Sequence, residues 1–179
     1  MRAMRRLILL FTTALGLAGS ASFAQGNQPV SALRGHNSDA PVDIDAARIE
    51  VQERADRAIF VGDVHVRQAD LTLDTERLTV AYSSKGGIEI QRLDASGGVV
   101  VKSPSETARG NFGIYDLNRK LITLIGDVQL SRSGSQVNGS RLVIDLTTGR
   151  AVIDGGPPGV NQSGGRVTGR FTVPQRSRQ

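Results

Sequence analysis

The 179-residue chain has no cysteine and no tryptophan, and only two histidines, His36 and His65. Without cysteine there is no disulfide framework, no thiolate nucleophile and no Cys-based metal site. Stability must come from packing and hydrogen bonds. Neither histidine stands at metal-ligand spacing from another ligand. His65 alternates with Val64 and Val66, so it reads as facing solvent, and His36 lies in a polar stretch. Both read as surface residues. There is no G-x-S-x-G elbow, no phosphate-binding loop and no dinucleotide fingerprint. Acids do occur in pairs, as Asp43/Asp45 and Asp74/Glu76. Each pair lies on the polar face of a strand or at a turn, and nothing beside it marks a glycosidase-type general acid. A polysaccharide-active enzyme would need activity that depends on Asp43 or Asp74. No enzymatic activity, cofactor or metal is expected.

One uncharged run is long, Leu7–Ala24, and three arginines precede it (Arg2, Arg5 and Arg6). A basic start, an apolar centre and the small-x-small step Ser22-Phe23-Ala24 form a secretory signal pattern over residues 1–24, with cleavage expected after Ala24. The rival reading is a retained membrane anchor, since this run is near the lower length limit for spanning. Gly16, Gly19, Ser20 and Ser22 dilute its second half and favour cleavage. The whole chain carries a net charge of +5, yet residues beyond 24 hold 19 basic against 17 acidic side chains. That near balance leaves no electrostatic footprint for nucleic acid. An export signal without cysteine fits the periplasm.

What the chain has instead is a repeat. Ala58-Ile59-Phe60-Val61-Gly62-Asp63-Val64-His65-Val66 recurs 64 positions later as Ile122-Thr123-Leu124-Ile125-Gly126-Asp127-Val128-Gln129-Leu130. A weaker copy, Ala95-Ser96-Gly97-Gly98-Val99-Val100-Val101, lies between them, and a degenerate one ends in Ile153-Asp154-Gly155-Gly156. The marker glycines are Gly62, Gly97, Gly126 and Gly155. Such a period means one supersecondary unit repeated, each copy needing a neighbour to bury its apolar face.

Period-2 alternation fills the units. Turns are expected at Gln68-Ala69-Asp70, Lys85-Gly86-Gly87, Asn118-Arg119-Lys120, Asn138-Gly139 and Thr148-Gly149. The repeat also predicts the inward face. Val64 and Val66 map onto Val99 and Val101, then onto Val128 and Leu130. Val80 and Tyr82 map onto Tyr115 and Leu117, then onto Ile144 and Leu146. Every mapped position stays apolar, which defines a register, because a one-residue slip would turn each strand inside out. Val42 and Ile44 add the same pattern at the start. A Gly-Asp or Gly-Gly step just before an inward pair is a natural bulge or bend. The expected architecture is all-β: a sandwich or rolled antiparallel double sheet of short strands with glycine corners. Residues 25–40 read as a flexible leader, 41–173 as the domain and 174–179 as a disordered tail. The expected edge strands are Val42–Val51, reversing near Gln52–Asp56, and Val167–Val173.

Several runs together resemble the OstA-like (LptA) family of periplasmic lipopolysaccharide transport proteins. They are Pro41-Val42-Asp43-Ile44-Asp45-Ala46, the 58–66 run, Leu78-Thr79-Val80, Tyr115-Asp116-Leu117 and Leu121–Val128. The resemblance covers roughly residues 40–155; Gly155–Gln179 departs from it. It implies a twisted β-jellyroll, open at both ends, whose hydrophobic groove holds lipopolysaccharide acyl chains. It implies head-to-tail stacking of protomers into a bridge between the inner-membrane exporter and the outer-membrane translocon, in outer-membrane assembly. An LptC-like inner-membrane protein and an LptD-like outer-membrane protein are the implied partners. The fourteen inward positions named above become the candidate groove lining. Head-group phosphates would lie near Arg67, Lys102, Arg109 or Arg132, which also read as an ordinary solvated face. An inward apolar face looks the same whether side chains or lipid fill it. An exported β-structural scaffold with a closed core, such as a β-solenoid, therefore stays open as the alternative.

Overall fold

In a computed structural model, the described residues are 33, 36–156 and 165–172. The signal segment, most of the leader and the tail lie outside them. Ten strands form one antiparallel sheet: β1 Val42–Asp45, β2 Arg48–Gln52, β3 Arg57–Gln68, β4 Leu71–Ser83, β5 Glu89–Lys102, β6 Glu106–Asp116, β7 Leu121–Arg132, β8 Ser135–Asp145, β9 Arg150–Asp154 and β10 Thr168–Arg170. One 3-10 turn, Glu53–Ala55, reverses the chain between β2 and β3. Strands β3 to β8 are a meander, each paired with the next. The sheet is not closed.

The expected all-β double sheet is what forms, but its strands are not short. Each of the six central strands runs 11–14 residues and is broken by a bulge near its middle. The pairing slips between Val61 and Val64, between Ser96 and Val99, and between Ile125 and Val128. The residues inside these slips are the marker steps, and both members of each step are left-handed. Gly62 and Asp63 have φ of 85° and 44°, Gly97 and Gly98 90° and 85°, Gly126 and Asp127 81° and 47°. Glycine adopts such angles freely, and aspartate is among the few other residues that tolerate them. That is why the step reads Gly-Asp or Gly-Gly.

Bulged strands bend, so the sheet folds along this line into two facing walls. The first wall holds β1, residues 64–68, 71–75, 99–102, 106–109, 128–132 and 135–139, and β10. The second holds β2, residues 57–61, 77–83, 89–96, 112–116, 121–125 and 141–145, and β9. The expected first strand, Val42–Val51, is thus two strands. β1 pairs with one half of β3 and β2 with the other. The expected last strand shortens to Thr168–Arg170.

The bend also has a close-packed partner at each level. A Cβ on Gly97 would lie 2.8 Å from Glu76 Cβ, one on Gly126 2.8 Å from Asn111 Nδ2, one on Gly62 3.0 Å from Ala47 Cβ and one on Gly156 3.1 Å from Ser140 Cβ. The structural fourth marker is therefore Gly156, which has φ of 81°, and not the expected Gly155. Asn138-Gly139 is not a turn either. It lies inside β8, where the Ile153 side chain occupies the space a Cβ on Gly139 would need. The reversal comes earlier, at Ser133-Gly134, between β7 and β8.

Candidate functional site

The apolar faces of the two walls meet in one core cluster. Of the expected lining, Val64, Val66, Val80, Val99, Val101, Tyr115, Val128, Leu130, Ile144 and Leu146 lie inside it. Val42, Ile44 and Leu117 are half-buried against it. Tyr82 is half-buried and outside the cluster. Mapping by repeat missed Leu71, Leu73, Leu78, Leu93, Ile122, Leu124 and Leu142, all buried in the same cluster. Strand parity would have found them: Leu142 is two residues from Ile144, and Leu78 two from Val80.

Burial is graded. Leu78, Leu124, Leu142 and Val64, beside the bulges, are 0 % exposed. Farther along the strands, Val66, Leu71 and Leu73 retain a little exposure, and Leu117 more. The interior is nearly full. A cavity of about 20 Å³ remains, bordered by Val42, Val66, Leu71, Leu93, Val101 and Tyr115 among others. That is room for about one water molecule and not for an alkyl chain.

Both ends of the folded sheet expose apolar residues. In register, Ile49 and Val51 of β2 stand opposite inward Phe60 and Ala58, yet they are 54 % and 56 % exposed. At the other end Val152, Val167 and Phe171 are exposed. β1 and β2 pair only with β3, and β9 and β10 only with β8, so four strand edges have no strand partner among the described residues.

Polar groups gather at one place on the rim. Tyr115 Oη donates to Gln68 Oε1 at 2.8 Å, and Gln68 Nε2 donates to the carbonyls of Ser38 and Ala40 at 2.9 and 3.0 Å. Burial pushes the Tyr115 phenol up, more than the hydrogen bond to Ser38 lowers it, and the Asp39 carboxylate adds to the rise. His36 corrects the sequence reading: its side chain is buried, with Nδ1 2.9 Å from Asp70 Oδ1. Leu33 is likewise buried in the core cluster. At these residues the expected leader is packed. No periodic signal marks them, because one apolar residue in a polar stretch carries no register.

The outer surface carries the remaining polar groups, together with the exposed cross-strand pair Phe112 and Ile125. His65 is largely exposed, as expected, and its Nδ1 lies 2.9 Å from Asp74 Oδ1. Asp43 and Asp45 stand opposite Arg67 and His65. Partial burial raises the Asp74 carboxyl, but hydrogen bonds from Lys102 and His65 outweigh it and hold it below the usual carboxylate value. A general acid needs the opposite shift. Arg67, Lys102 and Arg109 share the outer face of the first wall, next in strand to inward Val66, Val101 and Ala108. Lys102 is already paired with Asp74 at 2.7 Å. Arg132 lies at the end of β7, opposite the buried Glu106. Among the described residues, no cluster of three or more potential metal ligands occurs, and no helix is long and apolar enough to cross a membrane.

Residues 43–150 match the family described as LptA/(LptD N-terminal domain) LPS transport protein. An uncharacterized protein of Rhizobium meliloti (strain 1021) is 31% identical over 154 residues, covering 81% of this chain and 83% of the relative. The crystal structure of LptH from Pseudomonas aeruginosa, described as the LptA homologous periplasmic component of the lipopolysaccharide transport device, superposes with a TM-score of 0.68. That match covers 77% of this chain and 99% of LptH at 16% identity, a likeness of fold.

Proposed function

The chain belongs to the LptA/LptD N-terminal-domain family of LPS transport proteins, and we propose that it carries lipopolysaccharide through the periplasm with acyl chains held between its two walls. The observation that carries this reading is the graded interior: sealed at the glycine line, looser toward the rim, and apolar at both open ends. Residues 1–24 act as the export signal, cleaved after Ala24. The fourteen mapped positions, Tyr82 at their margin, line the lipid-bearing face.

The walls must part to do this, because about 20 Å³ holds no acyl chain. The driving force is large enough. Each methylene moved out of water contributes about 0.8 kcal/mol, so a chain of about ten contributes about 8 kcal/mol. Opening the rim would separate side chains such as Val66, Leu71 and Leu73, which already keep 5%, 5% and 7% exposure. The two strand edges at each end suit β-augmentation, in which an incoming strand extends the sheet. Copies of this chain would stack head to tail, with an LptC-like protein at one end of the bridge and an LptD-like protein at the other. The chain supplies no energy and performs no chemistry in this scheme.

Site-specific photo-crosslinking in the intact cell tests the reading. Probes at Tyr115 and Leu117, with an outward control at Asp116, should give a lipopolysaccharide adduct at the inward sites alone. The nearly filled interior favours one second reading, a structural scaffold with a permanently closed core. A folded protein without adducts at either inward site would establish that reading instead.

A further inference from the structure

Both walls are tied to one short segment that belongs to neither. Leu33 is buried in the core. Three backbone hydrogen bonds follow: the His36 N–H donates to Leu33 O at 3.1 Å, Ser38 to His36 O at 3.1 Å and Ala40 to Asn37 O at 3.2 Å. The His36 ring is wedged between Asp70 Oδ1, 2.9 Å from Nδ1, and Gln68 Oε1, 3.2 Å from Nε2. Gln68 ends β3 and Asp70 lies in the β3–β4 turn of the first wall. On the second wall, Lys120 Nζ reaches Asp39 Oδ1 at 3.2 Å, and the Tyr115 hydroxyl joins the same network through Gln68. The segment therefore crosses the rim and holds on both sides.

We infer that Leu33 and residues 36–40 are a clasp that keeps the groove shut, with Leu33 as a built-in substitute for an alkyl ligand, and that an incoming acyl chain displaces it. This rests on the lipid-carrying reading above. The clasp has what a displaceable closure needs. Its apolar anchor is a single leucine, whereas an acyl chain offers many methylenes for the same kind of contact. Its polar ties are a few side-chain bonds at the edge of the molecule, where local opening is least costly. Once it leaves, Gln68 and Tyr115 become a polar rim above an apolar floor. That arrangement suits an amphiphile whose polar linkages stay at the rim while its chains go beneath.

The test uses the full chain and purified lipopolysaccharide, with amide hydrogen exchange and photo-labelling at Leu117 read together. Lipopolysaccharide should abolish protection at the His36 and Ala40 amides while labelling Leu117. The L33S variant should lose that protection without lipid and label roughly tenfold faster, because the competent state is no longer held back. K120Q, which cuts only the exposed tie to the second wall, should shift both readouts the same way if L33S does not fold. Labelling with the clasp amides still protected overturns the clasp and leaves the lipid reading standing. So does an L33S or K120Q protein whose clasp exchanges freely but labels no faster. No labelling in any folded protein overturns the lipid reading, and the clasp as its gate with it.

Discussion

The glycine line and the rim are two parts of the same six strands, yet they are held together in different ways. At the line the walls are continuous through every strand, and Leu78, Leu124 and Leu142 are excluded from water completely. At the rim the walls are separate. Leu71 and Leu73 keep 5% and 7% exposure, Leu117 is half-buried, and the polar ties across the gap are the Tyr115–Gln68 hydrogen bond and those made by residues 36–40. A sheet folded in this way can open at one side without unfolding at the other. In the proposed scheme the spine supplies stability, and the rim supplies the movement that a lipid requires.

The largest way to break the comparison is to hollow out the spine. Leu124→Ala should cost about 4 kcal/mol in urea unfolding, and Leu71→Ala at the rim about 2 kcal/mol, because a looser site relaxes around the void. Equal losses would mean that the two regions are packed alike. The spine glycines sharpen the point. Gly97→Ala places a Cβ against Glu76 at a left-handed φ and should cost about 3 kcal/mol. Its neighbour Gly98→Ala meets nothing within 4 Å and should cost about 1 kcal/mol from backbone strain alone. Denaturation midpoints of the pair separate contact from conformation. At the rim, Tyr115→Phe removes one hydrogen bond to Gln68 and should cost about 1 kcal/mol, with faster exchange at the Ala40 amide as the local sign.

The smallest effect is acid. Asp154 braces the second wall outside the spine: its carboxyl is held below the usual carboxylate value mainly by the Arg141 guanidinium, with burial opposing and the Gly156 amide assisting. Asp74 does the same on the first wall. Both values are lowered by folding. Their stabilisation is therefore complete above the unfolded aspartate value and disappears as pH falls through the lower folded value. Thermal stability should be flat from about pH 7 to about pH 5 and decline below about pH 4. D154N should start lower and decline less. These pairs are partly exposed, so added salt should shrink the difference.

Much of this was legible in the residues. The repeat carried the register, because positions such as Val64, Val99 and Val128 share both a side of the strand and a place beside a bulge. The Gly-Asp and Gly-Gly steps carried the corners, because few other residues adopt the left-handed angles they need. Strand length was hidden for the same reason: a corner inside a strand and a turn between strands use the same residues. Asn138-Gly139 reads as a turn, but only the position of Ile153 reveals why the glycine is there. The clasp was hidden because Leu33 and His36 have no periodic neighbours, and their partners, Gln68 and Asp70, lie more than thirty residues away. Whether the interior is full or empty leaves no trace in alternation, since both states demand the same inward face.

The most direct test of a fixed spine and an opening rim is a pair of distance measurements between spin labels. The chain has no cysteine, so introduced pairs are unique. One pair, R67C with N118C, reports the rim, and the other, R77C with R109C, reports the spine. On adding lipopolysaccharide, the account predicts that the rim distance lengthens while the spine distance stays the same. A rim distance that does not change in a protein shown to carry lipid, or a spine that opens equally, would contradict it.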